Sequence, residues 1–160
     1  MNRSNIVGLV VGILPNAHTP LDGVVTAGQP SAQQLQALAH AGLHTVVDLR
    51  TSAESRGFDE AGTARAAGLA YHNIPVAPGT LGDAEFSAVR AVLRERGNRP
   101  ALVHCGSANR VGALLIPYLV LDEHRSPDEA LQIAHAVGLR SDDLARKAFN
   151  YIHGRNDADG

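Results

Sequence analysis

The chain has 160 residues, a formal charge of −2, and three Tyr, three Phe and no Trp. That length fits one domain with a real core, and dispersed Lys and Arg without a basic stripe or stacking aromatics argue against nucleic-acid binding. A single cysteine excludes an internal disulfide, which fits a reducing compartment and makes the cytoplasm the expected location.

The N-terminal run MNRSNIVGLVVGIL has one arginine followed by apolar and glycine residues, the outline of a short signal-peptide core. PNAHTP lacks an A-x-A-like cleavage site, and the run falls far below the ~20 residues of a membrane span. Residues 1–12 therefore read as an apolar segment packing on the domain, with secretion or a periplasmic location as the alternative. Residues 13–153 form the domain and 154–160 a flexible tail.

After a short strand at GVVTA, Gly28 and Pro30 turn the chain. Ser31 caps a helix with Gln34 at its third position, and Gly42 ends it. LHTVVDL reads as a buried strand. A helix from Phe58 to Ala67 stops at Gly68, AYHNIPV is the next strand, and PGTLG is a loop. Asp83 caps a helix with Phe86, Val89, Val92 and Leu93 on one face, ended by Gly97, and ALVH is a buried strand after Pro100.

From Arg110 to Leu121 a helix is apolar on nearly every side, which places it in the middle of the domain, bent at Pro117. Two more helices follow, one opened by Ser126, Pro127, Asp128 and Glu129 and stopped near Gly138, the other capped by Ser141 with Leu144, Ala148, Phe149 and Ile152 inward. Alternating strands and helices predict an α/β fold, a single domain whose central, mainly parallel sheet of about four to five strands is flanked by helices.

The chemistry concentrates in ALVHCGSANRVG. A strand delivers Cys105 to the sheet edge, Gly106, Ser107, Ala108 and Asn109 supply main-chain N–H groups, and Arg110 opens the apolar helix. This is an anion cradle. The same field favours thiolate, since helix N-termini and guanidinium groups lower a cysteine pKa from about 8.5 toward ~3.5 to 7.5. His104 either supports the loop and tunes Cys105 or is a hydrogen-bonded structural residue. Sites in open α/β sheets form at the carboxyl ends of strands, so Asp48, Arg50 and the loop 75–82 can share one rim with Cys105. Arg50 and Glu54 make either a local ion pair or a second anion contact. None of the eight histidines falls into a metal-ligand pattern, so no metal is expected.

HCGSANR resembles the active loop of the cysteine-dependent protein tyrosine and dual-specificity phosphatases. With TAGQPS, HTVVDLR and Glu54, GLAYHNIPV and NRVGAL in order, the chain resembles the small bacterial branch also found fused to β-lactamase-like hydrolases. The resemblance implies a phosphatase-like fold, Cys105 as nucleophile, Arg110 as phosphate-binding arginine, and loop N–H groups from Gly106 to Asn109, beside His104, as substrate contacts. It implies no cofactor, and a phosphorylated protein or small phosphate ester as partner, hydrolysed through a cysteinyl-phosphate.

Three departures accompany it. Four residues separate Cys105 from Arg110 where five are usual, a length shared with rhodanese-type sulfurtransferases, which makes a Cys105 persulfide the competing chemistry. Val111 stands where a Ser or Thr usually stabilises the departing thiolate. The family's acidic residue lies after the strand that here runs into Ala77 and Pro78, leaving Asp83 as the nearest carboxylate, an acid or merely a helix cap. A catalytically silent anion-binding module is the third reading.

Overall fold

The computed structural model describes residues 12–159, with side chains to Arg155. The expected packing of an N-terminal apolar segment thus lies almost wholly outside the described residues. Five strands are seen, β1 (His18–Leu21), β2 (Val24–Ala27), β3 (Thr45–Asp48), β4 (Ala70–Asn73) and β5 (Ala101–His104). The helices are α1 (Ala32–His40), α2 (Glu60–Ala66), α3 (Asp83–Arg94), α4 (Asn109–Leu121), α5 (Pro127–Val137) and α6 (Asp142–Asp159).

The sheet order is β1-β2-β5-β3-β4, with β5 paired in parallel to both β2 and β3 and only β1 antiparallel. Every residue of β2, β3 and β5 is buried, as expected where helices cover both faces. Alternate side chains enter two cores. Val47, Val103 and Cys105 face Phe86, Val89, Leu114 and Leu119 of α3 and α4, while Val46 and Leu102 face Leu35 and Leu38 of α1 and Ala64 of α2. Helix α4 is buried from Val111 to Leu119, the central support its all-round apolar pattern predicts. Among the described residues no helix is long and apolar enough to cross a membrane.

The structure departs from the sequence reading at element ends. Strand β1 was not expected, because HTPL is short and holds Pro20, which an edge strand tolerates where a central one does not. The strand expected over AYHNIPV narrows to β4, although Ile74 and Val76 still donate to the Asp48 and Leu49 carbonyls. Helix α2 starts two residues after Phe58, capped by Asp59. Helix α3 ends at Arg94, before a 3-10 turn at Arg96–Asn98 that contains the expected stop, Gly97. Helix α6 runs on to Asp159 where a tail was expected from Gly154. Asp83 is not the cap of α3: Gly82 holds that position, its N–H donating to Glu85 Oε1 at 3.2 Å, and Asp83 is the first helical residue.

Candidate active site

The Cys105 loop hangs from the central strand. The Cys105 N–H donates to the Ala27 carbonyl at 3.4 Å, and the Gln29 N–H to the Gly106 carbonyl at 3.4 Å. Gly28 is required between them, because a Cβ there would stand 2.8 Å from the Gly106 oxygen. Ala108 turns the chain into α4 with φ at 72°, in the left-handed region, and packs so near Gly138 that a Cβ there would lie 3.2 Å from its own. Asn109, the first residue of α4, accepts the Arg140 N–H on Oδ1 at 2.7 Å and so ties the loop to the segment after α5. Cys105 itself is 1% exposed.

Arg110 folds back over the loop, close enough that a Cβ on Gly106 would lie 3.6 Å from its Nη2. It donates from Nη1 and Nη2 to the two oxygens of Glu54, at 2.8 and 2.7 Å, and from Nη1 to the Val76 carbonyl at 3.1 Å. Glu54 also accepts Arg50 Nε at 3.2 Å, the Thr51 N–H at 2.8 Å and the Thr51 hydroxyl at 3.1 Å. The Arg110 guanidinium, helped by Thr51 and Arg50, holds the Glu54 carboxyl well below the usual carboxylate range. In return Glu54 raises Arg110 above its ordinary value, and Cys105 adds to the effect.

A cleft of about 360 Å³ opens at this point, lined by Thr51, Glu54, Val76, Ala77, Pro78, Ser107, Asn109 and Arg110. A larger recess of about 520 Å³, lined in part by Gln36, Asp59 and Thr63, has no cysteine among its described lining residues.

The other predicted site residues separate by face. His104 is fully buried, and alternation along β5 directs it to the sheet face opposite Cys105. Its Nε2 lies 2.5 Å from Glu60 Oε2, and Gln29 Nε2 donates to the other Glu60 oxygen at 2.7 Å. Asp48, expected at the rim, is buried on that same face and accepts Arg56 Nε at 2.6 Å, the Tyr71 hydroxyl at 2.5 Å and the Arg50 N–H at 2.9 Å. Burial opposes its charge, but these partners and His104 outweigh it, and the Asp48 carboxyl titrates below its ordinary value. Burial and the bond to Asp48 push the Tyr71 phenol up.

Potential ligand atoms of Asp48, Glu60 and His104 lie within 4.8 Å of one another. The Arg56 guanidinium, 2.6 Å from Asp48 and 3.9 Å from Glu60, already supplies the positive charge such a trio would draw from a metal. Arg50 resolves as an ion-pair partner of Glu54, its Nη1 donating to Gln29 Oε1 at 2.9 Å. Asp83 is exposed on α3, accepts Arg155 Nη2 at 3.3 Å, and does not line the cleft.

Two parts of the arrangement escaped the sequence. The pairing of Glu54 with Arg110 spans 56 positions, and only the acid four residues after Arg50 hinted at it. The pairing of Glu60 with His104 spans 44, although strand alternation alone would have placed His104 away from Cys105.

Residues 21–151 match the model of a family described as DSP-PTPase phosphatase fused to NAD+ kinase, PTP-NADK. The chain belongs to the PTP-NADK family. Its fold is the phosphatase one: a DUF442 protein from Shewanella putrefaciens CN-32 superposes with a TM-score of 0.77 at 18% identity, over 92% of this chain and 97% of that one. Tk-PTP in its active form gives 0.76 at 18% identity, over 89% and 99%. TpbA of P. aeruginosa, crystallised with phosphotyrosine, gives 0.66 at 22%, over 87% and 83%. In sequence, the PTP-NADK chain is 34% identical over 125 residues to the β-lactamase hydrolase-like proteins of two Xylella fastidiosa strains. It aligns over 75% of its own length but spans only 28% of theirs.

Proposed function

We propose that this protein is a cysteine-dependent phosphatase that hydrolyses phosphate monoesters through a phosphorylated Cys105. One observation carries the reading: the nucleophile candidate leaves the central strand within interaction reach of the Arg110 guanidinium, which Glu54 and the Val76 carbonyl hold at the cleft. Membership of a phosphatase family supports it. In the reaction the Cys105 thiolate attacks phosphorus in line and the ester oxygen departs. Water then releases phosphate and regenerates the thiolate. Arg110 and the loop N–H groups of Gly106, Ser107, Ala108 and Asn109 balance charge on the equatorial oxygens, and His104 acts from behind the loop as a positioning residue.

The substrate is a phosphorylated protein or a small phosphate ester, and a chain with one cysteine suits the cytoplasm. Phosphate release from 4-nitrophenyl phosphate tests the reading. Cys105→Ser is expected to abolish it. Arg110→Lys keeps the charge but loses the planar fork, and is expected to lower kcat/KM on the order of 10²–10³-fold. Turnover that survives Cys105→Ser sinks the proposal, as does Cys105-dependent thiocyanate formation from thiosulfate and cyanide without phosphate release.

A further inference from the structure

Resting on that reading, we propose that the site acts without a general acid of its own and so takes phosphate compounds whose leaving group departs as a stable anion. Aryl and acyl phosphates fall in this class and alkyl phosphates do not.

The residues around the cleft carry the argument. Glu54 is the only carboxylate among its described lining residues, which include no histidine. Glu54 cannot serve as an acid: Arg110 takes both of its oxygens, and Arg50 and Thr51 fill its remaining acceptor positions. Giving up a proton requires holding one, and these cationic and N–H donors keep the carboxyl ionised. Val76, Ala77 and Pro78 also line the cleft, and none of them can donate a proton from its side chain.

Carboxylates farther along are occupied elsewhere. Asp83 pairs with Arg155, and Asp143 pairs with Arg146 and with Lys147, whose Nζ donates to the Pro78 carbonyl at the cleft edge. Residues 1–11 contain no Asp, Glu or His.

The balance of the first step follows. The Cys105 sulfur forms a bond to phosphorus and the P–O bond to the leaving group breaks, its electron pair departing with oxygen. With no carboxylic acid or imidazole free to donate among the described lining residues, that oxygen leaves as an anion and is protonated by water. In the second step water attacks phosphorus, the S–P bond breaks, and thiolate, inorganic phosphate and a proton are released. A phenol with a pKa near ~10 can leave in this way, whereas an alkoxide depends on an acid, a contribution on the order of 10²–10⁴-fold.

The experiment measures kcat/KM of the whole chain and its Cys105→Ser variant on 4-nitrophenyl, phenyl, acetyl and simple alkyl phosphates. Expected is a steep fall with leaving-group basicity, on the order of 10²–10⁴-fold from the aryl to the alkyl compound, with acetyl phosphate on the fast side. Asp83→Asn and Asp143→Asn are expected to leave the slope unchanged. Cys105-dependent rates that stay flat across the series overturn the inference and leave the phosphatase reading standing. So does a slope that steepens in either Asp variant, which would identify that residue as the acid. Absence of Cys105-dependent phosphate release from every compound overturns both.

Discussion

At the scale of single residues, Val111 is where this loop departs from the cysteine-phosphatase pattern it resembles. It is fully buried at the third position of α4 and carries only methyl groups next to Arg110, so no hydroxyl there can stabilise thiolate as the phosphoenzyme breaks down. Breakdown is therefore expected to limit turnover, visible as a burst of 4-nitrophenol before the steady state. Val111→Thr, which keeps the branched shape and adds a hydroxyl, should shrink that burst. A wild-type time course without a burst would show that breakdown is not the slow step. Cys105 and Arg110 were legible because nucleophile, small-residue loop, arginine and helix start fall within six consecutive positions. Glu54 was not, because its partner lies 56 positions away and the nearer Arg50 offered a sufficient local explanation. Asp83 misled for the opposite reason: an aspartate at a helix start suits a cap, and Gly82 with Glu85 took that work.

At the scale of elements, two glycines mark where backbones approach too closely for a side chain. A Cβ on Gly28 would press the Gly106 carbonyl, whereas a Cβ on Gly112 would meet the Ala134 carbonyl and Leu139 Cβ, each at 2.8 Å. The first contact sets the loop and the second sets the α4–α5 packing. Gly28→Ala is expected to lower kcat/KM on the order of 10²-fold through displacement of the cradle, with a smaller loss of thermal stability than Gly112→Ala. The latter should cost about 1–3 kcal/mol by overpacking. Equal stability losses with unimpaired Gly28→Ala activity would show that the loop tolerates the shift. Element existence was readable wherever caps and periodicity agreed: the Ser31–Gln34 and Ser126–Glu129 boxes both form as expected. Strand β1 was not readable, because four residues containing a proline show no period and pair only through β2.

At the scale of the molecule, the buried and half-buried carboxylates tie stability to pH. Both Glu54 and Asp48 titrate below their ordinary values in the folded chain. Their contribution is therefore fully present above the unfolded values, about 4.3 for Glu and 3.9 for Asp. It is lost as pH falls from there toward the folded values. Urea midpoints measured from pH 7 to pH 3 should decline at the acid end, and Glu54→Gln should flatten part of that decline. An unchanged slope in the variant would mean that the Arg110 pair contributes nothing to it. The α/β class and the two-faced sheet followed from composition and element order, because alternating amphipathic and apolar segments leave few other ways to bury themselves.

The sheet order also divides the cleft into walls of different durability. Cys105 continues the strand bonded on both sides, whereas the segment from Ala77 to Gly82, whose first two residues line the cleft, has as its main-chain bonds a turn closed by Thr80 and Leu81 onto the Ala77 carbonyl and the Phe86 N–H donating to the Gly82 carbonyl. In hydrogen exchange, the β5 amides should open only with global unfolding, and that of Gly79 far earlier. Uniform exchange across both segments would contradict this asymmetry. One side of the site is thus fixed for as long as the protein is folded, and the turn after Val76 is the part expected to adjust to the group that, on the proposed chemistry, a phosphate carries.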